Sequence, residues 1–139
     1  MYLIDTNVLS ELRKGARANT GVIDFFRSME SEQVPLYLSV ITIGELRRGI
    51  ELIRHRGDVQ QSKLLENWLS IILLEYSEQV LGINQDIAQL WGKLRSPAYE
   101  HAIDKLIAAT ALIHDLVVVT RNRKDFEKTG VRVLNPFEG

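Results

Sequence analysis

The chain has 139 residues, 45% apolar and 25% charged, with 17 Lys and Arg against 18 Asp and Glu and no cysteine. That length predicts one compact domain over residues 1–139, and the near-average composition excludes disorder and fibrous repeats. The lack of cysteine excludes disulfides, thiolate catalysis, iron–sulfur clusters and cysteine-containing zinc sites, and a net charge of −1 leaves any nucleic acid to be met by a local basic patch or a metal.

Tyr2-Leu3-Ile4 is short, apolar and β-prone, and it ends on Asp5-Thr6-Asn7, which has the chemistry of a helix N-cap. A short helix is expected through Val8, Leu9 and Leu12 to Lys14-Gly15, and a second from Thr20 to Met29 that buries Val22, Ile23, Phe25 and Phe26. Pro35 opens a strand through Val40. The period then becomes helical, with Ile43, Leu46, Ile50 and Ile53 on one face and Gly57 closing the helix. Leu64, Leu65, Trp68, Leu69, Ile72 and Leu73 mark a longer helix from near Asp58. Val80–Ile83 is a brief strand, and Asn84 caps a helix carrying Ile87, Leu90, Trp91 and Leu94 that Ser96-Pro97 breaks. Ala102–Ile113 is apolar nearly all round, as a helix packed on more than one side would be. Leu116–Val119 suits a parallel strand covered on both faces; a short helix or turn through Phe126 and a last strand, Val131–Leu134, follow. Strands alternating with helices predict a three-layer α/β/α sandwich with a mainly parallel sheet of about five strands. No apolar run approaches the ~20 residues of a membrane span, and no basic stretch precedes an apolar one at the N-terminus, so a cytoplasmic location is expected.

In open parallel sheets ligands bind beyond the carboxyl ends of the strands, where Asp5 and Thr120-Arg121-Asn122 fall. Asp5 reads equally as a helix cap and as a chemical acid. Asp104 lies in the first turn of the apolar helix, where the helix dipole favours a carboxylate and desolvation raises its pKa. It too admits a capping or ion-pairing role. Glu45 reads as a glutamate at the start of its helix, near the same sheet edge, or as the partner of Arg48 in solvent. Asp125, within Arg123-Lys124-Asp125, is by itself an ordinary loop residue. Taken together, converging carboxylates repel unless neutralised, and oxygen ligands without cysteine or a metal-spaced histidine pair favour Mg²⁺ or Mn²⁺. Such an ion activates water and stabilises charge on a phosphoryl group, so phosphodiester hydrolysis is the expected use. His55, His101 and His114 form no metal-spaced pair and are given no catalytic role; Trp68 and Trp91 are read first as core residues and second as interface residues.

Four blocks in order, Leu3–Asn7, Ser39–Gly49, Asp104–Ala111 and Val119–Phe126, and the ending Leu134–Phe137 resemble the PIN-domain family over essentially the whole chain. The likeness is greatest to its VapC-type ribonuclease toxins of type II toxin–antitoxin systems, in the FitB-like branch. The resemblance implies a Mg²⁺-dependent endoribonuclease, with Mn²⁺ as a substitute ion. Asp5, Glu45 and Asp104 carry over as catalytic and metal-binding acids. At the fourth position some relatives have aspartate where this chain has Asn122, followed here by Asp125, so either residue completes the cluster. Thr6, Asn7, Thr120 and Asn122 are then water-positioning or supporting groups, and Arg47, Arg48, Arg121, Arg123 and Lys124 are candidates for RNA backbone contacts or for plain solvated charge. Partners implied are an RNA substrate, a cognate antitoxin whose C-terminal segment covers the acidic pocket, a second copy in a homodimer, and operator DNA only through the antitoxin. Alternatives are a structure-selective DNA nuclease and a catalytically silent module of the same fold. Aspartyl-phosphate chemistry has little support, because Asp5-Thr6-Asn7 lacks the expected second aspartate two positions on.

Overall fold

A computed structural model describes residues 1–138. Five short strands, β1 (Tyr2–Ile4), β2 (Leu36–Ser39), β3 (Val80–Leu81), β4 (Val117–Val119) and β5 (Val133–Leu134), form one sheet in the order β3-β2-β1-β4-β5. Every neighbouring pair is parallel. The connecting helices are α1 (Thr6–Leu12), α2 (Thr20–Ser31), α3 (Val40–His55), α4 (Val59–Glu75), α5 (Gln85–Leu94), α6 (Ala102–His114) and α7 (Arg123–Phe126).

Alternation along the strands divides the core between two faces. Ile4, Leu38 and Val119 point to one side and pack with Val8 and Leu9 of α1, Val22 of α2, Leu46 and Ile50 of α3, and Leu65, Leu69 and Ile72 of α4. Leu3 and Val118 point to the other, against Ile107, Ala108 and Ala111 of α6 and Phe126 of α7. Helix α5 covers the outer side of α6 through Ile87, Leu106 and Ala109, and Trp91 donates its indole N–H to the Ala102 carbonyl at 2.9 Å. The small residues of α6 let it lie close to the sheet while α5 packs on its back, hence its apolar character all round. This is the expected α/β/α sandwich, with a sheet that is wholly parallel.

Helix starts follow local capping. Ser39 Oγ accepts from the Ile41 amide at 3.1 Å, Asn84 Oδ1 from Ile87 at 2.9 Å, and Asp58 Oδ1 from Gln61 at 3.1 Å. The Ser39 cap corrects one expectation. Helix α3 begins at Val40, so β2 stops before Val40 and Glu45 sits in the second turn rather than at the helix start. Val40 and Ile41 are β-branched and prolong the apolar run of the strand, so their sequence cannot mark the change of period. The last strand is likewise only Val133–Leu134: the Val131 amide is bound to Thr129 Oγ1 across the turn at Gly130, whose φ of 83° is left-handed. No helix among the described residues is long and apolar enough to cross a membrane.

Candidate active site

The chain moves outward from β1 to β2 and β3, then returns to the other side of β1 with β4 and β5. The reversal falls between β1 and β4, which opens a crevice at their carboxyl ends. The pairing Ile4↔Val119 brings the next residues, Asp5 and Thr120, to the crevice side by side, and the Asp5 amide donates to the Val119 carbonyl at 2.9 Å.

Asp5 is buried and held by three donors. Its Oδ1 accepts from the Thr6 amide at 2.8 Å, and its Oδ2 from Thr120 Oγ1 at 2.8 Å and Asn7 Nδ2 at 3.3 Å. The capping reading of Asp5 is therefore borne out, with Oδ1 on the first amide of α1 and Oδ2 left to Thr120 and Asn7. Asn7 Nδ2 also donates to Thr120 Oγ1 at 3.1 Å, while its Oδ1 accepts from the Arg121 amide at 3.0 Å. The Asn122 amide donates to Thr120 Oγ1 at 3.1 Å. The two loops are thus stitched together by side chains of Asn7 and Thr120. Burial raises the Asp5 pKa, opposed by the bonds from Thr120 and Thr6, and Glu45 raises it further.

Asp104, in the first turn of α6, faces the same space. Its pKa is pushed up to about 6, first by burial, then by the charges of Asp5 and Asp125, with His101 acting in the opposite sense and Glu45 adding to the rise. The charges of the other three acids named from the sequence therefore all reach Asp104. The four acids do not all stand at ligating distance. Among the described residues, the group of three whose ligand atoms lie within 4.8 Å of one another is His101, Asp104 and Asp125. Asp125 reaches it because α7 is pinned by Phe126, fully buried against α6 and the sheet. Asn122 is exposed, and it precedes α7 without a side-chain capping bond.

His101, to which the sequence analysis gave no catalytic role, is the third member of this group. Its spacing of three from Asp104 at a helix start was the available signal, since residues at i and i+3 share a helix face. The cations are dispersed. Arg47 is bound by both oxygens of Glu66, at 2.7 and 2.8 Å, and shares Glu51 with Arg54. Arg121 lies over the Phe137 ring at 4.0 Å, and Arg123 approaches Glu138 at 3.6 Å. Arg48 is exposed on α3. Lys124 lines an open cavity of about 710 Å³ beside the acids, together with His101, Lys105, Asp125 and Lys128. A smaller groove of about 250 Å³ is lined by residues of α1, α3 and α4, among them Thr6, Glu45 and Trp68.

Residues 2–131 match the model of the PIN domain. The chain belongs to the PIN-domain family. It is 35% identical to the toxin FitB of Neisseria gonorrhoeae and 32% identical to the VapC ribonuclease Y4jK of Sinorhizobium fredii, each over 99% of both chains. Among solved structures, it superposes on the crystal structure of FitAcB from Neisseria gonorrhoeae with a TM-score of 0.85, at 34% identity and covering all of both chains. A toxin–antitoxin complex from Klebsiella pneumoniae is similar with a TM-score of 0.61 at 28% identity, over 98% of both chains. This PIN domain thus shares its whole length with those relatives.

Proposed function

We propose that this PIN domain is a divalent-metal-dependent endoribonuclease and the toxin of a toxin–antitoxin pair. The single observation that carries the proposal is the convergence on Asp104, in the first turn of α6, of Asp125, within ligating range, and of the charges of Asp5, just beyond β1, and Glu45. Buried acids that repel one another are a costly arrangement unless a cation joins them. Oxygen donors without cysteine fit Mg²⁺, and Mn²⁺ as its substitute. When bound, such an ion supplies a water nucleophile at neutral pH and offsets charge on the phosphoryl oxygens.

The chain's own residues do the remaining work. Asp5, Asp104, Asp125 and Glu45 supply the negative charge that holds the ion. Thr6, Asn7 and Thr120 fix the Asp5 carboxylate with donors, leaving its other lone pairs for the site. Asn122 supports Thr120 through its amide. Lys124 stands beside the acids and serves an RNA phosphate; the exposed Arg48, Arg121 and Arg123 are further candidates, while Arg47 has its guanidinium engaged by Glu66. No covalent protein intermediate is required. The groove lined in part by Glu45 suits an antitoxin segment that covers the acids, and the exposed Leu64, Ile71 and Leu74 of α4 offer apolar surface for the antitoxin or a second copy. Operator DNA would be met through the antitoxin.

The test is cleavage of matched single-stranded RNA and DNA oligonucleotides by the isolated chain with and without Mg²⁺. RNA cleavage that needs the ion and disappears in Asp5→Asn and Asp104→Asn supports the proposal. Preferential DNA cleavage would make it a DNA nuclease, and no cleavage of either a silent module.

A further inference from the structure

We propose that His101 is a direct ligand of the ion, giving the site one nitrogen donor and a preference for Mn²⁺ over Mg²⁺; this rests on the metal-dependent reading above.

Three observations carry it. His101 stands immediately before α6 with φ 55° and ψ 46°, a left-handed backbone that histidine adopts more readily than most residues. It makes no side-chain capping bond there, so its ring is not spent on the helix amides. The ring instead lies between two carboxylates on different elements, with Nδ1 3.9 Å from Asp104 Oδ2 and Nε2 4.0 Å from Asp125 Oδ1. Both distances are too long for hydrogen bonds. The ligand atoms of the three residues all lie within 4.8 Å of one another. With bonds of about 2.1 Å, neighbouring ligands of one ion stand about 3 Å apart and opposite ones about 4.2 Å, so either pair spans the range that a shared ion would set. The imidazole nitrogens point apart, so one would bind the ion while the other faces the second carboxylate, on the side where a ligating histidine usually finds the acceptor for its remaining N–H.

The donor set decides the ion. Mg²⁺ keeps its waters and favours oxygen, whereas imidazole favours transition ions, to which Mn²⁺ belongs while still accepting carboxylates. A surface ion pair is the plain alternative, and it predicts no nitrogen on the metal.

The experiment is Mn²⁺ binding to the full chain by electron paramagnetic resonance, with ¹⁴N coupling read by electron spin-echo envelope modulation. His101→Asn and His101→Ala are compared with the parent chain, each with its fold checked by circular dichroism. Asparagine tolerates the left-handed backbone and offers oxygen in place of nitrogen, so it guards against a loss that is only structural. The parent chain should show directly bound nitrogen, and both variants should lose it. In His101→Asn the Mn²⁺ Kd should rise about tenfold, while Mg²⁺ affinity, measured by competition, changes by less than about threefold. Mn²⁺ held by the parent chain without nitrogen coupling, or unchanged Mn²⁺ affinity in His101→Asn, overturns this inference alone. Failure of the parent chain to bind either ion overturns the metal reading and this inference with it.

Discussion

Thr120 at the end of β4 donates its hydroxyl to Asp5 at the end of β1, 2.8 Å away and fully buried. That bond crosses the seam where the chain reverses direction, and it joins the fold to the chemistry. The same Oγ1 accepts from the Asn7 side chain and the Asn122 amide, so one hydroxyl serves three partners.

Removing it should therefore hurt twice. Thr120→Val keeps the shape but leaves Asp5 short of a donor, and a buried hydrogen bond to a charged group contributes about 1.5–3 kcal/mol. Urea melts should show a loss of that order, with RNA cleavage falling at least about tenfold. Thr120→Ser restores the hydroxyl and should recover most of both.

Asp104 predicts a pH dependence with a definite sign. Burial and the charges of Asp5 and Asp125 raise its pKa from 3.8 to about 6 in the folded chain. Between those values the folded state binds more protons than the unfolded state, so stability falls as pH rises. The metal-free melting temperature should drop from about pH 4 to about pH 6, and Asp104→Asn should flatten that slope. Thermal scans without divalent ions check it.

A cation should reverse this penalty. Millimolar Mg²⁺ or Mn²⁺ at pH 7 should raise the melting temperature of the parent chain, because a ligand of the folded state stabilises by mass action. The rise should vanish in Asp104→Asn and should grow with pH through about 6, as the carboxyl of Asp104 ionises.

Phe126 tests how the fourth acid is placed. Its ring is fully buried against Ile107, Val118 and their neighbours, one residue beyond Asp125. Phe126→Ala should cost about 3–5 kcal/mol and release α7. Phe126→Leu should keep most of the stability, yet Mn²⁺ affinity should weaken if the placing of Asp125 depends on the ring. Denaturant melts and ion titrations on the two variants separate packing from ligation.

Much of this was legible because local signals agreed with the fold. The β-branched run at Val117–Val119 and the caps at Asn84 and Asp58 marked their elements, and Asp5 beside Thr120 followed from where ligands bind in parallel sheets. Glu45 was misplaced by a turn because Val40 and Ile41 suit either a strand or a helix, and only the Ser39 cap decides between them. His101 was half legible: its spacing of three from Asp104 could be read, its second neighbour could not. Its partner Asp125 lies 24 positions away, and their approach depends on α7 packing onto α6, a tertiary contact that residue spacing does not encode. The dispersal of the arginines is tertiary as well: Arg47 is taken by Glu66 from a different helix.

The central claim is that acids from β1 and α6 meet around a divalent ion to cut RNA. Its most direct test follows single-stranded RNA incubated with the purified, antitoxin-free chain and with Asp104→Asn, in Mg²⁺, in Mn²⁺ and in chelator. Cleavage by the parent chain in either ion, abolished by chelator and by the substitution, is the result predicted. Equal cleavage by both proteins, or cleavage that survives the chelator, would contradict it.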